Sequence, residues 1–289
     1  MNEGSSPKVT FPGDEHWPAI GLGTWRMGEE ASRRKDEMAA VRQALELGYR
    51  IIDTAEMYGE GGAERVVGSA LAEAMRSGGI RRDEVFIVSK VYPQHASAAG
   101  MAAACERSLA RLGIDQLDAY LLHWRGAVPL AETVAAFETL RAKGRIRHWG
   151  VSNFDLEAMH ELLAVPGGAA CATNQIYYSL GERGPAFDLL PWQQARGIVT
   201  MAYSPIDQGA LAANASLRAL ARRLDATPVQ IALAWLAAQT GVLAVPKAVR
   251  TEHLRENLQA ATLELGADER AEIDRLFAPP RRRTPLAML

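Results

Sequence analysis

Short apolar runs alternate along this chain with longer stretches in which apolar residues recur every three or four positions. Runs of the first kind predict strands and stretches of the second kind amphipathic helices. The strand candidates are AIGLGTW (19–25), RIIDTA (50–55), VFIVSKV (85–91), DAYLLH (118–123), IRHWGVS (146–152), CATNQI (171–176), GIVTMAY (197–203) and VLAVPK (242–247). Between them lie helix candidates at 34–48, 64–79, 96–113, 130–144, 155–165, 188–197, 216–224, 227–241 and 251–261. The first places Met38, Val41, Leu45 and Leu47 on one side and stops at Gly48, a residue type that closes helices. Asp155 suits an N-cap, and Thr227-Pro228 supplies a cap followed by a first-turn proline.

Eight strand–helix units in succession predict an α/β fold of the (β/α)8 TIM-barrel class. A doubly wound sheet is the other arrangement such alternation allows. The barrel is expected to form a single domain over 1–289, with an N-terminal extension at 1–17, an added helix at 268–277 and a tail at 278–289.

A barrel of this class places its chemistry at the C-terminal tips of its strands. In chain order the tips carry Gly23-Thr24-Trp25, Asp53, Lys90, His123-Trp124, Ser152-Asn153, Asn174-Gln175, Tyr203-Ser204 and Lys247. Most are polar although the strand bodies are apolar. Lysine usage sharpens the signal: of 32 basic residues only Lys8, Lys35, Lys90, Lys143 and Lys247 are lysines, and two of these five sit at tips. An ammonium, unlike a guanidinium, has a pKa that its surroundings readily adjust.

The stretch IIDTAEMYGEGGAE (51–64) carries an acid at a strand tip and a tyrosine five residues on, in a glycine loop. A phenol with a pKa of about 10 is a poor proton donor near neutrality. An ammonium beside it favours the phenolate, and a carboxylate holds that ammonium charged and in place. Asp53, Lys90 and Tyr58 together are therefore expected to form a proton donor for carbonyl reduction. His123 would direct the carbonyl oxygen by a hydrogen bond. The bland readings are a capping lysine and a satisfied core histidine; the convergence of four such residues on neighbouring tips argues against both.

Composition narrows the alternatives. Formal net charge is −2, without the basic excess of a nucleic-acid binder, and Arg281-Arg282-Arg283 is short enough to be a solvated tail. No apolar run reaches the ~18 residues of a membrane span, and the N-terminus has no apolar core of a signal peptide. Cys105 and Cys171 show no metal-ligand spacing and are expected to be reduced, buried thiols of a cytoplasmic protein. The six histidines form no HxH or HExxH pair, so no metal is expected. Neither GxGxxG nor a nucleophile elbow is present.

At these residues the chain resembles the aldo-keto reductases. GLGTW (21–25), DTAEMYG (53–59), SKV (89–91), LLHW (121–124), GVSNF (150–154), NQIYY (174–178), AYSPIDQGAL (202–211), VPKAV (245–249) and ENL (256–258) fit that family's pattern in order and over nearly the whole chain. The resemblance implies a (β/α)8 barrel that binds a nicotinamide cofactor without a Rossmann motif. It implies Asp53, Tyr58, Lys90 and His123 as the catalytic four. It further implies that Ser152, Asn153 and Gln175 hold the nicotinamide amide, with Tyr203 stacked on the ring. The segment Ser204, Pro205, Ile206, Gly209 and Leu211 would wrap the pyrophosphate. Gly23, Thr24, Trp25 and Asp53 would border the cofactor; Lys247, Ala248, Val249 and His253 would meet its 2′-phosphate end, and Glu256 and Asn257 the adenine.

Two departures stand out. Members selective for NADPH often carry a hydroxyl residue and an arginine where this chain has Ala248 and His253, so a bidentate fork is missing there. Arg250 is a candidate substitute. NADP(H) is still favoured, with NAD(H) as the second possibility. The loop after Tyr58, GEGGAE, is also slightly longer than the usual form.

Trp25 and Trp124, with Tyr58 and His123, are expected to line a site for a small-molecule carbonyl, with Met57 and Trp192 adding to its walls. Short loops and a short tail predict an open mouth. A monomer or weak oligomer is expected, with neither nucleic-acid nor membrane partners. Three other functions fit parts of the pattern: a Schiff-base lyase using Lys90, a glycosidase, and a non-catalytic nicotinamide-binding regulatory subunit. The glycosidase lacks its second carboxylate, since tips four and seven carry His123 and Tyr203.

Overall fold

The structure of the protein, a computed structural model, describes residues 6–289; the first five positions of the expected N-terminal extension lie outside the described residues. Eight parallel strands follow one another around a barrel: β3 (Leu22–Gly23), β4 (Ile51–Asp53), β5 (Phe86–Val91), β6 (Leu117–Leu122), β7 (Ile146–Ser152), β8 (Thr173–Tyr177), β9 (Val199–Tyr203) and β10 (Val242–Ala244). Each pairs with its sequence neighbour, and bridges Ile20↔Ala244 and Gly23↔Lys247 join the last strand to the first, closing the ring. Gly23 is required at that seam, because a Cβ there would sit 2.6 Å from the Val245 carbonyl oxygen. Every residue of β5 and β6 is buried, which explains why these strands read as continuous apolar runs rather than alternations.

Around the ring lie α1 (Arg34–Leu47), α2 (Gly62–Arg76), α3 (Ala98–Leu112), α4 (Leu130–Ala142), α5 (Leu156–Ala164), α6 (Leu189–Gln194), α7 (Ala210–Ala213), α8 (Ala215–Arg223), α9 (Pro228–Ala237), α10 (Thr251–Gln259) and α11 (Ala267–Leu276). In α1 the buried face is Glu37, Ala40, Val41, Ala44 and Leu45, with Met38 and Leu47 packed at its margin, and Gly48 closes the helix at φ 111°. Asp155 accepts from the Ala158 N–H, and Thr227 and Gln230 form a reciprocal cap around Pro228. The short α7 has no counterpart in the sequence reading; four residues are too few to show a helical period.

Before the barrel stands a hairpin, β1 (Lys8–Phe11) and β2 (Glu15–Pro18), which takes up most of the segment expected as an extension and ends one residue beyond it. Its Val9 and Phe11 are buried, and Phe11 packs 4.6 Å from Phe86 at the start of β5. The hairpin thus covers the N-terminal end of the barrel. Beneath it the buried Asp118 accepts from Arg82 and Arg147, each at 2.7 Å, and from the Ile87 N–H at 2.7 Å. Glu15 of the hairpin reaches Arg147 at 3.3 Å and His148 at 3.2 Å. Among the described residues no helix is long and apolar enough to cross a membrane.

Candidate active site

At the opposite end, Asp53 closes β4, Lys90 is the penultimate residue of β5, and His123 directly follows β6. Strand register sets Asp53 beside Val88 and Lys90 beside Leu121, so the side chains of neighbouring tips converge. Lys90 is fully buried. Its ammonium bonds to Asp53 Oδ1 at 2.8 Å and Oδ2 at 3.0 Å, the Thr54 carbonyl at 2.9 Å and the Tyr58 hydroxyl at 3.1 Å. Gln175 donates to Asp53 Oδ1 at 2.8 Å. The Tyr58 and His123 rings meet edge to face at 5.7 Å. All four residues, Asp53, Tyr58, Lys90 and His123, are therefore brought together in one cluster at the C-terminal end of the barrel.

The loop that carries Tyr58 is held by close backbone contact. Gly59 and Gly61 have φ of 55° and 79°, and a Cβ on Gly62 would lie 2.3 Å from the Gly28 carbonyl oxygen. The glycines thus press this loop onto the loop after β3. From the other side Arg111, paired with the buried Glu64, packs on Gly61.

Burial is the largest influence on Tyr58 and pushes its phenol above the usual tyrosine range; Lys90 opposes by charge and hydrogen bond, while Asp53 adds to the rise. Lys90 thus pulls this pKa down as expected, but desolvation outweighs it, so the net shift is upward and the phenol stays protonated at neutral pH. For Lys90 burial is again the largest influence and disfavours the charge, but Asp53 and Tyr58 together outweigh it and leave the pKa raised. Burial, then the charge of Lys90, lowers His123 to about 2, so its imidazole is neutral. Its Nδ1 is buried without a hydrogen-bond partner among the described residues.

A second group lies at the tips of β7 to β9. Ser152 donates to the Gln175 carbonyl at 2.9 Å. Asn153, held at φ 62°, donates to the His123 carbonyl at 3.2 Å and accepts from the Tyr203 hydroxyl at 2.9 Å. Tyr203 is half-buried and stacks on Tyr177 at 5.9 Å. After it the chain turns through left-handed conformations at Ser204 and, between the buried anchors Pro205 and Leu211, at Asp207, Gln208 and Gly209. Ile206 is half-buried in the same turn.

Farther along the mouth, Lys247 reaches solvent opposite Gly23. Partial burial holds its ammonium below the usual lysine range; Glu37 opposes this, and Arg33 and Arg26 add to it. Ala248 and Asn257 are buried, Val249 and Glu256 half-buried, and His253 is exposed with its Nε2 2.7 Å from Arg250. Thr24 is buried and donates to the Asp53 carbonyl at 2.9 Å, whereas Trp25 is 39% exposed beneath Arg26. Trp124 is half-buried beside His123 at 5.0 Å, and Met57 is half-buried in the Tyr58 loop. Trp192 does not join them: it stacks on His160 of α5, with Arg196 on its ring.

Three features escaped the sequence reading. Tyr92 stands edge-on to Trp124 at 5.9 Å, a place its position two residues after Lys90 would have signalled. Buried Glu56 lies between Asp53 and Tyr58 but faces away from Lys90, toward Tyr92 and His95. The tail also runs farther than its length suggested. Arg283 pairs with Glu157 and Asp188, and the Leu289 N–H donates to the Tyr203 hydroxyl at 3.3 Å, so the tail borders the mouth instead of leaving it clear.

Residues 19–278 match the sequence pattern of the Aldo/keto reductase family. The chain belongs to that family. It is 48% identical over 286 residues to the methylglyoxal reductase YeaE of Escherichia coli (strain K12), covering 97% of this chain and 98% of that protein. To the methylglyoxal reductase DkgB of Salmonella typhi it is 34% identical, over 91% of this chain and 96% of the relative. The fold matches an aldo/keto reductase from Klebsiella pneumoniae crystallised with NADP and acetate at a TM-score of 0.94 and 47% identity, over 98% of this chain and 100% of that one. This aldo/keto reductase is thus an oxidoreductase on a (β/α)8 barrel, as the motifs implied. Its two cysteines are free and buried, and burial pushes each thiol up to about 12. Among the described residues no group of three His, Cys, Asp or Glu is placed to hold a metal ion.

Proposed function

We propose that this aldo/keto reductase reduces small aldehydes and ketones to alcohols with NADPH, as an NADP-dependent aldehyde reductase, and that Tyr58 is its proton donor. The observation that carries the reading is the buried Lys90 ammonium, bonded at once to Asp53, the Thr54 carbonyl and the Tyr58 hydroxyl. The similar proteins named methylglyoxal reductases, and the similar structure that holds NADP, support it.

The residues present fit a nicotinamide dinucleotide. Tyr203 offers a flat, half-exposed ring next to the amide and hydroxyl groups of Asn153 and Ser152. The exposed Lys247, near Arg26 and Arg33, supplies positive charge for a phosphate. Gln175, Ser152 and Asn153 would hold the carboxamide, Ser204 to Leu211 the pyrophosphate, Lys247 with Arg250 the 2′-phosphate, and Glu256 and Asn257 the adenine. Although His253 stands where an arginine fork is missing, the positive charge of Lys247 near Arg26 and Arg33 is expected to make NADPH serve better than NADH.

The bound cofactor supplies the hydride to the carbonyl carbon. Tyr58, protonated at neutral pH, gives its proton to the oxygen, and Lys90 faces the resulting phenolate with its positive charge. Asp53 keeps Lys90 charged and immobile. Neutral His123 retains an N–H with which to direct the carbonyl oxygen toward Tyr58. A Schiff-base role for Lys90 is disfavoured, since its raised pKa and its bonds to three neighbouring groups leave no free amine.

The test is loss of the reduced-nicotinamide absorbance with methylglyoxal, para-nitrobenzaldehyde and a steroid ketone, run with NADPH and NADH in parallel. Turnover of the two small aldehydes, faster with NADPH, is expected. Cofactor binding without reduction of any carbonyl would favour a regulatory role and defeat the proposal.

A further inference from the structure

Glu56 is a buried carboxylate, three residues from Asp53, that the proposed chemistry does not use. Its Oε1 accepts the Tyr92 backbone N–H at 2.8 Å and faces His95 Nδ1 at 3.0 Å, and its Oε2 lies 3.5 Å from Arg107. Its own N–H donates to the Lys90 carbonyl at 3.4 Å. Three groups from β5's following loop and from α3 thus converge on one side chain, and a single oxygen, Oε1, meets the two from the loop. The convergence fixes where Tyr92 stands. Its ring meets His95 at 5.8 Å and Trp124 at 5.9 Å, each edge to face at 88°, and Trp124 in turn lies 5.0 Å from His123. The loop after β6 packs on the same turn, since a Cβ on Gly126 would sit 2.5 Å from Pro93.

We propose that Glu56 is a positioning residue for the aromatic wall made by Tyr92 and Trp124, and that through this wall it sets the preference for flat aromatic carbonyls. The inference rests on the reading of the cavity as a carbonyl site. A planar ring gains from packing on a wall whose rings are held edge to face, whereas a three-carbon aldehyde has no ring to pack there. The proton donor is unaffected, because none of the hydrogen bonds of Glu56 goes to the side chains of Asp53, Lys90, Tyr58 or His123.

The experiment measures kcat and KM of the full chain with NADPH for para-nitrobenzaldehyde and for methylglyoxal. In Glu56→Ala the KM for para-nitrobenzaldehyde is expected to rise about tenfold, with both kcat values and the methylglyoxal KM within about twofold of wild type. Glu56→Gln keeps the oxygen that accepts the Tyr92 N–H and is expected to stay within about twofold for both substrates. Equal changes for the two aldehydes, no change for either, or Glu56→Gln failing like Glu56→Ala would overturn the assignment. If Glu56→Ala yields no soluble protein, Glu56→Asp decides, since it keeps the charge but withdraws it by one methylene. A selective rise of about threefold in the para-nitrobenzaldehyde KM sustains the proposal, and an unselective change or none overturns it. A wild-type protein inert toward both aldehydes would instead sink the carbonyl-site reading, and this inference with it.

Discussion

Both ends of the barrel bury a carboxylate against cations beside a histidine, yet the two arrangements differ in where their polar groups point. At the N-terminal end Asp118 is shared by Arg82, Arg147 and the Ile87 N–H, and the hairpin with Glu15 and His148 covers the cluster. At the C-terminal end Asp53 is shared by Lys90 and Gln175, but the cluster continues outward to the half-buried Tyr58 and to a His123 whose Nδ1 has no partner among the described residues. In both places burial is the largest influence on the titrating groups: it raises Asp118, lowers His148 and His123, and raises Tyr58. The difference teaches that a buried ion pair alone does not mark a reactive site. What distinguishes the upper cluster is a chain of polar groups that ends at the mouth with hydrogen-bonding capacity still free.

The sharpest way to break this comparison is Tyr58→Phe. It is expected to lower kcat/KM by about a thousandfold or more, while NADPH binding by fluorescence titration stays as in wild type. Full turnover in that variant would remove the assigned proton donor. Next comes Asp118→Ala below, which leaves two half-buried arginines and the buried Ile87 N–H without their acceptor. A loss of about 3 kcal/mol in urea unfolding is expected, with turnover per folded molecule unchanged. A large drop in turnover at unchanged stability would erase the distinction between the two ends. Lys247→Ala is smaller still: KM for NADPH should rise about tenfold and KM for NADH hardly at all.

The smallest effect concerns pH. His123 and His148 have lowered pKa values in the fold, so below about 6.5 the unfolded chain binds protons that the native chain refuses. Stability should therefore be intact above that pH and decline as pH falls through it, by at most about 1.4 kcal/mol per unit for each histidine. Urea midpoints for wild type and His148→Asn, measured from neutral to mildly acidic pH, check this. A variant slope identical to wild type would exclude His148 as a contributor.

Much of the upper cluster was legible in the residues because strand tips are readable. A continuous apolar run followed by one polar residue marks a strand leaving the core, and Asp53, Lys90 and His123 each stand at such a break. The hairpin was not legible. It has two four-residue strands in which only Val9 and Phe11 face inward on β1, too short a pattern to rise above a polar N-terminus. Glu56 and Tyr92 were missed for another reason. Nothing in a linear sequence says which of two acids, Asp53 or Glu56, turns toward Lys90 and which toward the next loop.

The alternation of apolar runs and amphipathic stretches by itself determined the strand–helix repeat and the order of its tips, because strand and helix periods are local properties of the chain; closure into a barrel came from the pairing of the last strand with the first. It also determined which residue types stand at the mouth. The tertiary structure alone decided the protonation of Tyr58, the state of Lys90 and His123, and the reach of the tail to Tyr203. Those depend on how much water each group loses and which charges it meets, and residues that are 32 and 37 positions away from Lys90 set both.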